Sequence, residues 1–105
     1  MHSNADDFLD CLASEKGLAQ NTLTSYRRDL GIFFRLLQKR KVQHLDHAKE
    51  ADVIAFLEHL REERYATSSI CRALVAVRMF FRFLKREKVI EKEILPHFEG
   101  SLEDL

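Results

Sequence analysis

The sequence predicts an all-α fold, a compact four-helix bundle, and three observations point to it. Apolar residues recur every three or four positions through four long stretches, the repeat of a helix that buries one face. Composition agrees: 46% of residues are hydrophobic and 32% charged, with three glycines and one proline, as in a folded, soluble, helical chain. The length of 105 residues suits one domain with a single core. No stretch approaches the ~20 uninterrupted apolar residues that a membrane span needs. The acidic start, Met1 to Asp10, lacks a basic-then-apolar signal pattern, so a cytoplasmic protein is expected.

The first helix is expected from Ala5 to Lys16, with Phe8, Leu9 and Leu12 on one face and Gly17 placed to end it. The second opens at Gln20 or Asn21 and runs to Lys41, its apolar stripe formed by Leu23, Tyr26, Leu30, Phe33, Phe34 and Leu37. A linker from Val42 to Ala48 follows, with Leu45 plugging the core. The third helix is expected over Lys49 to Arg64, with Val53, Phe56, Leu57 and Leu60 inward. The fourth begins at Thr67, a residue type suited to N-capping, and continues to Lys88. Its stripe of Ile70, Leu74, Val77, Phe81 and Leu84 is widened by Val75 and Phe80, which predicts the most buried helix of the set. Beyond Val89 the pattern decays, and Pro96 with Gly100 reads as a linker.

The formal net charge is zero, yet the charges are segregated. Gln20 to Lys41 carries six basic residues against Asp29, and Ala66 to Lys88 carries six against Glu87, so each segment is +5. The remainder of the chain is −10. Two basic helices against an acidic remainder form an electrostatic footprint for a polyanion, although charged faces also serve simply to solvate helices. At 100° per residue, Asn21, Ser25, Arg28, Arg35 and Lys39 lie opposite Leu23, Leu30 and Leu37. Likewise Ser68, Arg72 and Arg86 lie opposite Ile70, Leu74 and Phe81, so Arg28 and Arg72 are expected to project away from the core. Arg27 sits at the border of the stripe, free to bond outward or to brace a neighbouring helix. Both helices thus offer small polar groups in the first turn and arginine one turn later. A helix start also presents unpaired N–H groups and partial positive charge to a phosphate. One of Thr67 and Ser68 is expected to cap the helix, leaving the other for contact with DNA.

Catalytic and metal chemistry find no support in the residues. Tyr26 lies on the core face, and neither it nor Tyr65 has the arginine and histidine set of a phosphoryl-transfer nucleophile. His44 and His47 share a linker without a third ligand, so no metal or other cofactor is expected. Glu62 and Glu63 point to different sides of a helix. Cys11 and Cys71 have no metal-like spacing and read as buried free thiols.

Two stretches carry a family resemblance. "GLAQNTLTSYRRDLGIFFRLL" (Gly17 to Leu37) and "ATSSICRALVAVRMFFRFLKREK" (Ala66 to Lys88) together resemble the N-terminal core-binding domain of tyrosine recombinases. The likeness is above all to the XerC/XerD type and related phage integrases, and it covers roughly residues 5 to 100. Val75 stands where the family usually has serine. In "EILPHFEG", Pro96 and Glu99-Gly100 follow the pattern, while Leu95 replaces an asparagine. The resemblance implies a SAM-like bundle over residues 1–90 that binds DNA, with residues 91–105 starting a linker to a catalytic domain outside this chain. It implies a clamp on one half-site of duplex DNA, no activity in this fragment, and a full-length recombinase that is tetrameric on synapsed DNA. The isolated domain is expected to be monomeric. Asn21, Thr22, Ser25, Arg27 and Arg28 on the second helix, with Thr67, Ser68, Ser69 and Arg72 on the fourth, become the expected DNA-binding residues. Arg72 is the candidate for a base-edge bond and Arg28 for a phosphate. The residues alone leave a second reading open, an all-α protein-interaction module whose basic and acidic faces pair with other copies.

Overall fold

A computed structural model describes residues 1–92. Four α-helices follow in order: α1 (His2–Glu15), α2 (Gln20–Lys39), α3 (Glu50–Glu62) and α4 (Thr67–Arg86). A single 3₁₀ turn (Leu45–His47) lies between α2 and α3, and Leu45 is buried there as the sequence predicts. The linker reading of Pro96 and Gly100 lies outside the described residues.

The periodic apolar positions form one core. Phe33 packs edge-on against Phe56 of α3 and Phe81 of α4, at centroid distances of 5.2 and 5.9 Å. Phe80 meets Phe8 of α1 at 5.5 Å and Phe34 of α2 at 5.6 Å. These perpendicular and tilted ring contacts are the favoured arrangements of aromatic pairs. They link all four helices, with rings of α1 and α2 directly against α4, which buries eight residues against six on α2. The expectation that α4 is the most buried helix holds. Val75 does not widen its stripe, however: it is half-buried at the rim, while Ala73 and Ala76 are buried instead. Small residues let neighbouring helices approach on that side. Leu23 and Tyr26 are half-buried and pack against the core from its edge.

Helix ends differ from the sequence expectation for identifiable reasons. α1 starts three residues early, at His2, whose ring packs edge-on against Phe34 at 5.2 Å. α2, α3 and α4 each stop two residues short, because Lys41, Arg64 and Lys88 adopt positive φ of 63°, 61° and 61°. Each stop carries the paired bonds of a Schellman motif. Val42 N–H donates to Leu37 O at 2.9 Å, Tyr65 N–H to Leu60 O at 3.1 Å, and Val89 N–H to Leu84 O at 2.9 Å. Glycine, the usual occupant of such a position, is found only after α1, where Gly17 has φ +61°.

The helix starts correct a second expectation. Thr67 is the first residue of α4 rather than its N-cap; the cap position is Ala66, extended at φ −60°, ψ 147°, which accepts the N–H of Ile70 at 3.0 Å. Ala19 occupies the same place before α2. Neither alanine has a side-chain acceptor, so the first-turn N–H groups of both helices lack a side-chain cap. α3 differs: the carboxylate of Asp52 accepts the N–H of Lys49 at 2.8 Å and the Arg40 Nε–H at 2.7 Å, closing the start of α3 onto the end of α2.

Cys11 and Cys71 are free thiols, half-buried rather than buried. Arg86 gathers the C-terminal ends of α1 and α4, donating to Cys11 Sγ at 3.2 Å, pairing with Glu15 at 3.5 Å and lying 5.4 Å over Phe83.

Candidate nucleic-acid interface

The three arginines singled out in the sequence have three different fates. Arg27, at the edge of the α2 stripe, pairs with Asp6 of α1 and so braces the neighbouring helix. Arg28, one position on, is exposed and has no ion pair among the described residues. Arg72 does not project freely into solvent. Its Nε–H and one Nη2–H donate to the two carboxylate oxygens of Asp29 at 2.9 and 3.0 Å, a bidentate bridge between α2 and α4. The Asp29 side chain is 2% exposed and that of Arg72 33%, so the carboxylate is interior and the guanidinium emerges past it. The hydrogen bond and charge of Asp29 hold the Arg72 guanidinium above the ordinary arginine range, against the opposing effect of burial, with Tyr26 and Tyr65 adding smaller contributions.

The expectation of an outward-projecting Arg72 therefore fails on a residue that sequence reasoning passed over. By charge count alone Asp29 is only the lone acid of a basic helix. Its position carried a signal: three after Tyr26 and four before Phe33, it lies on the apolar stripe. A carboxylate there calls for a buried cation, and fork-shaped arginine is the side chain that satisfies both oxygens at once.

Around this bridge lie the remaining candidates. Asn21, Thr67 and Ser68 are exposed; Thr22, Ser25 and Ser69 are half-buried. Ser68 and Ser69 sit one turn before Arg72, and Ser25 one turn before Asp29. The structure thus unites Arg72 with α2 through Asp29, while Arg27 is drawn away toward α1. Arg78, half-buried on α4, has its Nε buried without a hydrogen-bond partner. Arg35, Lys39 and Lys41 are exposed cations on the remainder of α2 and its end. The two helix starts thus combine first-turn N–H groups without a side-chain cap with short polar side chains, and Arg28 lies about two turns into α2, an arrangement suited chemically to an anion with hydrogen-bonding edges. Among the described residues no cluster of side chains could hold a metal ion, and no helix is long and apolar enough to cross a membrane.

The chain is similar to known proteins over most of its length. Residues 5–88 match the family described as phage integrase, N-terminal SAM-like domain. The chain is 38% identical over 93 residues to a protein named tyrosine recombinase XerC from Roseiflexus castenholzii, covering 89% of this chain and 30% of that one. It is 39% identical over 95 residues to a tyrosine recombinase XerD from Shewanella oneidensis, covering 90% and 31%. A further XerC, from Herpetosiphon aurantiacus, is 37% identical over 86% of this chain and 29% of its own. The chain spans about a third of the length of the curated relatives it matches. No solved structure matches it.

Proposed function

The chain belongs to the phage integrase N-terminal SAM-like domain family, and from that premise we propose that it is the DNA-binding domain of a site-specific tyrosine recombinase. In this reading it closes on one half-site of duplex DNA through the first halves of α2 and α4. Strand cleavage and transfer belong to the larger part of a longer protein, and assembly on synapsed DNA to that whole protein. The observation that carries the reading is Arg28. It is an exposed guanidinium without an ion pair among the described residues, on a helix whose first turn lacks a side-chain cap. A phosphate at the start of α2 meets backbone N–H groups and the positive end of the helix dipole, and Arg28, about two turns further along, offers the same DNA backbone an unpaired cation. Asn21, Thr22, Ser25, Thr67, Ser68 and Ser69 add short donors for close approach to phosphate and base edges.

Fluorescence anisotropy with a labelled duplex at a series of salt concentrations tests this. Each neutralised phosphate contributes roughly −0.9 to the slope of log K against log salt, so four to six contacts give about −4 to −5. Arg28→Ala is expected to make that slope shallower by about one while leaving the fold unchanged. Absence of binding at low salt, or binding that salt does not weaken, would remove the basis for a DNA role.

A further inference from the structure

We infer that Asp29 is a positioning residue for sequence readout: its buried carboxylate grips one edge of the Arg72 guanidinium so that the opposite edge is presented to a guanine. The inference rests on the DNA-binding reading above and adds to it a specificity device. Asp29 takes the Nε–H and one Nη2–H of Arg72. The second Nη2–H and the Nη1 hydrogens are left on the far, end-on edge of the fork, the edge that matches the O6 and N7 acceptors of guanine in the major groove.

Two features favour a base over a phosphate as the target. The adjacent carboxylate, 2% exposed, offsets the guanidinium charge, which weakens its pull on a phosphate but leaves its donor geometry intact. The bridge also fixes the side chain before binding, so little rotamer freedom remains to be lost, and a small angular error at a bidentate contact is avoided. Arg28 is the opposite case, an exposed cation with no carboxylate partner among the described residues. Tyr26 and Tyr65 lie close enough to Arg72 to share its electrostatic surroundings.

The 105-residue chain is incubated with a library of duplexes carrying randomised positions, and the bound fraction is sequenced. Anisotropy then compares the enriched duplex with a mixed-sequence one. Wild type is expected to enrich guanine at one position by about 5- to 150-fold, the range of a good bidentate contact. Asp29→Asn is expected to bind mixed-sequence duplex as well as wild type or better, having lost a negative charge, while its guanine preference falls toward one. Arg72→Lys, which keeps a cation beside Asp29 but not the fork, is expected to lose the same preference. If Asp29→Asn weakens both duplexes by one factor, or if either variant keeps the guanine preference, Asp29 only holds the fold and the inference falls. A measurement on wild type alone guards against variants that do not fold. On adding duplex, the ¹⁵N resonance of Arg72 Nε should stay at its free position while the Nη resonances move. Movement of Nε would show the grip being released and would overturn the proposal. Salt-dependent binding with no preferred base overturns this inference and leaves the DNA-binding reading standing; no binding at all removes both.

Discussion

A single acidic residue, Asp29, sets much of the chemistry at the α2–α4 contact. Removing its partner is the harsher change. Arg72→Ala leaves a carboxylate that is 1% exposed without a cation, and breaking a buried pair from that side costs about 3–5 kcal/mol. Asp29→Ala leaves an arginine whose side chain is 33% exposed and can turn to water, so a loss of about 1–3 kcal/mol is expected. Urea unfolding of both variants checks the order. Equal losses, or a larger one for Asp29→Ala, would mean that Arg72 is less free to reach solvent than its exposure indicates. Leu74→Ala, at a fully buried position contributed by α4, is expected to cost about 2–5 kcal/mol by leaving a cavity. The sequence made Leu74 legible because a hydrophobic repeat is a local pattern. It hid the role of Arg72, because the partner lies 43 residues away and a helical wheel drawn for α4 alone contains no trace of it.

At the scale of elements, existence and facing were readable and the ends were not. Four helices, their inward residues and the core plug at Leu45 all follow from apolar spacing, which many residues report together. An end is decided by one or two residues, and here the usual markers mislead. Thr67 resembles a cap but sits inside the helix, and three helices end on lysine or arginine where glycine is customary. The left-handed conformation costs a residue with a Cβ about 1–2 kcal/mol, partly offset because glycine loosens the unfolded chain by about 0.4–1 kcal/mol. Lys88→Gly and Arg64→Gly are therefore expected to stabilise the protein by a few tenths to about 1 kcal/mol each. Gly17→Ala should do the reverse. No atom lies within 4 Å of the Cβ it would add, so the loss of about 1 kcal/mol comes from the backbone alone. Thermal melts of the three variants give the signs, and a stabilised Gly17→Ala would contradict the strain assigned to these positions.

Across the whole molecule, zero net charge conceals two basic helices set against an acidic remainder, and the structure shows how part of that charge is spent internally. Asp6, Asp29 and Asp52 each neutralise an arginine of the two basic segments, Arg27, Arg72 and Arg40 respectively, so the surface available to a polyanion is narrower than the sequence count implies. Arg28 remains available, and the predicted salt dependence rests on it and on the exposed cations beyond it. The positive-φ stops have a separate consequence, for attack by proteases. Trypsin cuts after lysine and arginine and needs several residues of extended chain around the bond. The bonds following Lys41, Arg64 and Lys88 lie instead in tight turns, with the next residue's N–H hydrogen-bonded back to the helix. In the native state those sites are cut only when the turns open. Leu74→Ala should then speed cleavage at all three by one common factor if opening means unfolding of the whole bundle, whereas unequal factors would show that individual helix ends come undone on their own.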